Sequence, residues 1–405
     1  MTSRGSGEVL GPRAQPRPAR ATDAPRSPRG VRPRRDRAPL VGLQAQAPDP
    51  PYIGLWTRLA GFRPDELSRA IFERRAVRVA LMRNTLHLVS ARDCLMLRPL
   101  TRPAIERNLY AGRARRAVLE GVDVGELVAA GRALLEERPL TAKELGGLLR
   151  GRWPDHDAAS LARAIRHLVP LVQVPPRGLW GRSGPVSHTT VEAWLGRSLD
   201  PDPSPDELVL RYLGAFGPAS VKDAQTWSGL TRLGEVFERL RPRLKTFRDE
   251  GGEELFDLPD APRPDPGIPA PARFVPAFDN LILSHADRAR VMADDHRKAI
   301  ASTNGMVPAT FLVGGFVRGT WSTEVTRGKA TLSIEPFEPL PKEARDALAE
   351  EGEQLLRFVA GPGGAGTFEV GFYGRLDLLR GGARPDVKPF ATNRTGTRRA
   401  ATATV

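Results

Sequence analysis

A single cysteine, Cys94, is all the chain carries, so neither an intramolecular disulfide nor a thiolate zinc cluster can form. That suits a reducing cytoplasm. No apolar run reaches the roughly 18 residues that a membrane-spanning helix needs. The N-terminus is basic and proline-rich without an apolar core, so no secretory signal is expected. The six histidines, His87, His156, His167, His188, His285 and His296, are scattered, and HExxH and CxxC are both missing. No metal or other cofactor is expected. A phosphate-binding glycine loop and a Gly-x-Ser-x-Gly elbow are absent as well, which removes two common enzyme chemistries.

Acidic residues are in deficit. The net charge of +14 invites a nucleic-acid partner, but it is unevenly spread. Residues 1–38 hold a net +7 and residues 382–405 a net +4, leaving +3 for everything between. Both ends are rich in Arg, Pro, Gly or Thr and show no apolar periodicity. They are read as a disordered arm and a disordered tail, able to add phosphate contacts without specificity or simply to be solvated.

With 405 residues and 40% hydrophobic content, the folded part has room for two or three domains with real cores. Helical spacing runs from Tyr52 to Phe62, and a Pro-then-acid start opens a second helix at Asp65. Strand-like runs follow at Ala76–Met82 and Thr85–Ser90, broken at Arg83-Asn84. Helix, helix, hairpin is the order of a winged helix-turn-helix. The order recurs with helices at Val124–Glu137, at Leu140–Leu145 with a Thr141/Glu144 capping box, and at Asp157–Leu168. A wing at Leu171–Trp180 is expected to turn at Pro175–Gly178. A third copy has helices at Glu207–Phe216, Ser220–Ser228 and Leu233–Leu240, then a β segment around Arg248–Glu253.

Beyond a proline-rich linker, short strands are expected at Val307–Val313, Phe316–Thr320, Ala330–Ile334 and Thr367–Phe372. A helix at Lys342–Phe358 lies between the last two. The reading is an α+β protein with about three tandem winged helix-turn-helix motifs plus a C-terminal β-rich domain. Its parts are an arm 1–38, winged units at 39–122, 123–200 and 201–258, a linker 259–271, a C-terminal α+β domain 272–381 and a tail 382–405.

The most specific local feature is Gln44-Ala45-Gln46. Pro48, Pro50 and Pro51 bias the residues before them toward extended backbone. In an extended segment residues two apart share a side, so both carboxamides should point one way with Ala45 turned inward. A carboxamide offers two donors and an acceptor but is no base at pH 7. Such a pair could orient a water or clamp a base edge.

Candidate DNA contacts are weaker signals. Arg83 could take a phosphate, and Asn84 could read a groove edge or merely occupy a positive-φ turn position. Thr85 and His87 belong to the same segment, though His87 alternates with apolar neighbours. Arg163 and Arg166 share a helix face, Arg232 and Arg239 belong to the third copy, and Asp279, Asn280 and Arg288 flank an apolar stretch. For the last group a structural Asp–Arg pair is the alternative.

Five segments together carry a family resemblance. They are Gly42-Leu43-Gln44-Ala45-Gln46, Leu55-Trp56-x-Arg58-Leu59, Met82–Val89, Phe278-Asp279-Asn280 with Asp287-Arg288, and Gly315–Trp321. Over about residues 40–380 the chain resembles the AlkZ-like and YcaQ-like winged-helix DNA glycosylases, which excise alkylated purines and can unhook interstrand crosslinks. The resemblance implies three tandem winged-helix motifs with a C-terminal β-rich domain, and a Gln-apolar-Gln catalytic motif matched by Gln44 and Gln46. It implies a cytoplasmic, nucleoid-associated monomer acting on alkylated or crosslinked double-stranded DNA. Gln46 would position water while Gln44 supports it or the sugar, or the reverse. A non-catalytic DNA-binding protein or regulator on the same scaffold is the alternative.

Overall fold

The computed structural model describes residues 8–9, 41–110, 119–265, 268–301, 305–326, 328–361 and 365–373. The tail 382–405 lies outside them, as does the arm 1–38 apart from Glu8–Val9. The described chain is a mixed α/β fold that divides into two compact units, residues 1–268 with 278–293 and residues 269–277 with 294–405. None of its helices is long and apolar enough to cross a membrane.

In the first unit, helices begin where side chains can satisfy their free N–H groups. After β1 (Glu8–Val9) and β2 (Leu43–Gln44), α1 (Pro50–Trp56) and α2 (Pro64–Phe72) both start on proline, which has no N–H to lose. The hairpin β3 (Ala76–Ala80) and β4 (Leu86–Ser90) leads into α3 (Ala91–Leu109). Asp123 caps α4 (Val124–Glu137), and β5 (Leu140–Thr141) precedes α5 (Ala142–Arg150). The Thr141 hydroxyl accepts from the Glu144 N–H while the Glu144 carboxylate accepts from the Thr141 N–H, so the expected capping box forms. Asp157 caps α6 (Ala158–Leu168), followed by β6 (Leu171–Gln173), β7 (Ser187–Thr190) and α7 (Val191–Leu195). Last come α8 (Pro205–Phe216), α9 (Val221–Ser228), α10 (Leu233–Leu240), β8 (Lys245–Arg248), β9 (Glu254–Asp257) and the short α11 (Asn280–Leu283).

Three expectations are corrected here. The first two hairpins are not separate wings: a six-stranded sheet runs in the order β2-β4-β3-β6-β7-β5, with Val79 opposite Val172 at the join. The second wing does not return at Leu179-Trp180. Pro175 and Pro176 cannot donate to a ladder, and Trp180 packs instead on the Tyr52 ring at 4.9 Å, so the return strand is β7. In the third copy Arg248–Glu253 is largely the turn, closed by Asp249 and Glu253, with strands on either side. The segment between β4 and α4 carried no expected element, yet α3 forms despite Pro99 and Pro103. Ser90 caps it, and Cys94, Leu97, Thr101 and Ile105 bury one face.

Two apolar cores hold this unit. One joins Val77, Val79 and Leu81 of the first hairpin region to Tyr212, Trp227 and Phe237 of the α8–α10 helices. The other lies among α4, α5 and α6, around Leu127, Leu145, Leu161 and Ile165. Residues 278–293, expected in the C-terminal domain, belong to this unit for an electrostatic reason. The Arg58 guanidinium donates to both Asp279 oxygens at 2.7 and 2.6 Å, and both side chains are only 1% exposed.

The second unit is a five-stranded sheet in the order β10 (Arg273–Val275), β11 (Thr310–Val313), β12 (Phe316–Thr326), β13 (Gly328–Pro336) and β14 (Ala365–Phe372). Helix α12 (Asp294–Ile300) precedes β11, and α13 (Lys342–Ala360) packs Leu348, Leu355 and Leu356 inward. Trp321 donates its indole N–H to the Val275 and Thr310 carbonyls, tying three strands together. Strands β12 to β14 run longer than the alternation alone suggested.

A buried ion pair is costly to break from one side, because the survivor is left charged and dry. Asp279→Ala is expected to lower the unfolding free energy by about 3–5 kcal/mol in chemical denaturation. Arg58→Met with Asp279→Leu should cost clearly less. Equal losses in the two variants would show that the pair does not act as a unit.

Candidate active site

The triplet Gln44-Ala45-Gln46 begins on the edge strand of the six-stranded sheet, where Gln44 closes β2, and Gln46 lies in the bend beyond it. Leu43 pairs with Leu88 and Gln44 with His87, and the Ala45 N–H donates to the Leu86 carbonyl at 2.7 Å. Extended backbone therefore runs through Ala45, which is fully buried. Both ends of the segment are fastened. Gly42 has φ +85, and a Cβ there would lie 2.7 Å from the Val89 side chain, so the position requires glycine. Its carbonyl accepts from Asn280 Nδ2 at 2.7 Å. On the other side the Ala45 carbonyl accepts from Arg78 Nη2 at 2.7 Å.

Both glutamines reach one turn. Gln44 Oε1 accepts from Arg83 Nη2 at 2.8 Å, and Gln46 Oε1 accepts from the Leu86 N–H at 3.2 Å. Guanidinium and peptide N–H are donors only, so each contact assigns the carboxamide oxygen unambiguously. Neither amino group has a hydrogen-bond partner among the described residues. Gln44 is buried to 7% exposure, whereas Gln46 is exposed.

The turn itself is held in an unfavoured conformation. Arg83 and Asn84 both have positive φ, 55° and 57°. For non-glycine residues this costs on the order of 1–2 kcal/mol each. Hydrogen bonds within and around the turn offset it. The Leu81 N–H donates to the Thr85 carbonyl at 3.0 Å, and Thr85 Oγ1 donates to the Met82 carbonyl at 3.0 Å. The Arg83 guanidinium donates to the Trp227 carbonyl near the end of α9. Asn84 Nδ2 donates to His167 Nε2 at 3.2 Å, while His167 Nδ1 donates to the Arg163 carbonyl.

These placements revise several candidate DNA contacts. Arg83 turns both terminal nitrogens inward, so it holds Gln44 rather than a phosphate. Its pKa is pushed down to about 10 by burial and by the Arg288 charge, and it remains a cation at neutral pH. Asn84 takes the positive-φ role. His87 is fully buried and offers no surface to DNA. Asp279 and Asn280 are likewise buried, engaged with Arg58 and Gly42. Arg239 is exposed but paired with Asp206, and Arg288 is half-buried. Arg163 and Arg166 are exposed on α6, and Arg232 is exposed just before α10 with φ 62°. Thr85 is half-buried within the turn. Sequence reasoning missed Trp227, His167 and Arg78. Only Arg78 left a signal, as a charge between Val77 and Val79 in an apolar strand.

Chemically the site is rich in donors. The triplet carries two carboxamides, the guanidinium groups of Arg78 and Arg83 donate to it, and among the described residues no carboxylate hydrogen-bonds to it. His87 Nδ1 donates to the Thr85 carbonyl at 2.9 Å, which leaves Nε2 as a lone pair without a partner among the described residues. Burial, aided by the Arg83 charge, pushes the His87 pKa down to about 3, so the ring is neutral. Among the described residues no acid hydrogen-bonds to the triplet from which an intact base could take a proton.

His188 and His285, in the same unit, are held down to about 4, chiefly by burial. All three bind protons more readily when unfolded, near the usual histidine value of 6.5. Their contribution to stability is complete above that value and is lost as pH falls toward 4 and 3. The denaturant midpoint should therefore drop through this window, and His87→Gln should flatten the drop. An unchanged slope in the variant would rule out His87 as a contributor.

Comparison with known proteins adds to this geometry. The model of the family "DNA glycosylase AlkZ-like" matches residues 38–358. A protein named interstrand DNA cross-link repair glycosylase, from Streptomyces sahachiroi, is 23% identical over 356 residues, covering 78% of this chain and 88% of the relative. The solved structure of Streptomyces sahachiroi DNA glycosylase AlkZ superposes with a TM-score of 0.65 at 23% identity, over 83% of this chain and 92% of that one. At that identity the structural likeness speaks for the fold. The family match spans most of the chain and includes both glutamines of the triplet: the chain belongs to the AlkZ-like DNA glycosylase family.

Proposed function

We propose that the protein is a monofunctional DNA glycosylase that hydrolyses the N-glycosidic bond of purines made cationic by alkylation at N7. The observation that carries this reading is the carboxamide pair. Gln44 closes the edge strand β2 and Gln46 lies two residues on, in the bend that follows; their oxygens accept from Arg83 and from the Leu86 N–H, and their amino groups have no hydrogen-bond partner among the described residues. With the oxygens committed, the fixed N–H groups can donate to the attacking water or to an acceptor edge of the departing purine without reorganising during the reaction. Water adds to C1′ as the C1′–N9 electron pair passes into the base. The cationic purine thus leaves neutral, and one proton is released. Such a leaving group needs no general acid, which matches a site whose histidine is neutral. The crosslink-repair name of the relative fits the same bond cleavage, applied to a purine tethered through N7 to the other strand.

The helix–helix–strand repeats of the first unit are, on this reading, three winged helix-turn-helix motifs, the first two sharing one sheet. Their exposed cations supply the duplex contacts. Arg163 and Arg166, three residues apart on the solvent face of α6, and Arg232 are the assigned phosphate ligands. A cytoplasmic location and a monomeric state complete the proposal.

Two measurements test it. Release of 7-methylguanine from duplex DNA should fall by about 100-fold or more in Gln44→Ala and in Gln46→Ala. Undiminished release by the double variant would refute the catalytic assignment. Separately, Arg163→Ala and Arg166→Ala should each reduce the slope of log affinity against log salt by about 0.9. No change in slope would remove α6 from the duplex surface.

A further inference from the structure

The Arg83 guanidinium forms a bridge that the proposed chemistry does not by itself require. One terminal nitrogen holds Gln44 Oε1 at 2.8 Å, and the other holds the Trp227 carbonyl near the end of α9. That carbonyl lies in the last turn of the helix, where the final carbonyls lack intrahelical donors. Trp227 is fully buried and lies against the rings of Tyr212 and Phe216, at 5.1 and 5.9 Å, so it is a firm anchor. Gly229 follows, with φ +75, and a Cβ there would stand 3.2 Å from the Arg83 nitrogen. Backbone and side chain of Arg83 are therefore both set against the end of α9.

We propose that Arg83 is a positioning residue for Gln44: it fixes the carboxamide with oxygen inward and amino group outward, and couples its orientation to the α8–α10 helices. The role rests on the glycosylase reading, in which Gln44 acts at the reacting centre. Guanidinium suits the task because it reaches two acceptors in one plane, which an ammonium does not. A hydrogen bond from a cation to the amide oxygen also polarises the amide, so the outward N–H groups become stronger donors. Without Arg83 the terminal torsion of Gln44 is broad and roughly two-fold, and the amide can present either end.

The test is a mutant cycle on full-length protein, using duplex DNA that contains 7-methylguanine. Arg83→Met should slow single-turnover base release by roughly 10- to 100-fold, with duplex affinity changed by less than about 3-fold, because Arg83 makes no phosphate contact on this reading. Arg83→Lys should recover part of the rate. In a Gln44→Ala background Arg83→Met should cost less than about 2-fold more, since two residues acting through one contact are not additive. The six glutamines can be labelled with nitrogen-15, and the Gln44 side-chain signals identified by their loss in Gln44→Ala. Those signals should move toward free-glutamine positions in Arg83→Met, or in Arg83→Lys if the methionine variant does not fold. Full additivity, or unmoved Gln44 signals, would overturn the proposal. If the wild-type protein releases no base, the glycosylase reading fails, and the amide signals alone decide the role of Arg83.

Discussion

The guanidinium of Arg83, held between the Trp227 carbonyl and Gln44 Oε1, is the contact on which the rest of the site depends. It can be made only because Arg83 and Asn84 accept a left-handed backbone, which directs one side chain back toward the edge strand and the other toward α6. The cost of that backbone is met by helices far away in sequence. One supplies a terminal carbonyl and a glycine, and the other supplies His167. A two-residue turn thus joins three helical groups to the triplet. Its conformation would not be stable in an isolated hairpin, where nothing would offset two unfavoured residues.

That contact, with the Leu86 N–H on Gln46, determines what the glutamines can do. Once the oxygens of Gln44 and Gln46 accept from donors that cannot accept in return, the amino groups become the ends left for a ligand. Burial acts in the same direction on His87, whose proton on Nδ1 is committed to the Thr85 carbonyl. Among the described residues the neighbourhood therefore holds donors and the Arg78 and Arg83 cations, but no carboxylate bound to the triplet. Each of these properties follows from the packing around the first hairpin rather than from the triplet alone.

Much of this was legible in the residues, and the failures have physical causes. Thr141 with Glu144, Pro64 with its following acids, and the alternation of Val77 to Val79 are local signals. The helices and strands they mark formed within a few residues of their expected bounds. The prolines after Gln46 anticipated extended backbone as far as the buried Ala45, whereas Gln46 already lies in a bend. Pro99 and Pro103 hid α3, because propensity argued against a helix that a buried apolar face and the Ser90 cap sustain. The direction of Arg83 was not legible, since it depends on two positive φ values and on a carbonyl 144 residues away. For the same reason the partners of Asp279 and Asn280 were not legible, although a structural Asp–Arg pair was one of the two readings of this group. Their partners, Arg58 and Gly42, lie 221 and 238 residues earlier in the chain.

On the proposed reading, the charge around the triplet explains selectivity in an unexpected direction. A site that recognised a cationic purine by attraction would place a carboxylate beside it. Here Arg83, which donates to Gln44, is a cation that also feels the charge of Arg288, and the Asp279 carboxylate is paired with Arg58. Such surroundings favour phosphate and electron-rich acceptor atoms, not a positive ring. Discrimination against intact bases must then come from the reaction itself. A neutral purine needs a proton to leave, and among the described residues no acid hydrogen-bonds to the triplet to supply one, whereas an N7-alkylated purine departs as a neutral molecule and relieves the local excess of positive charge.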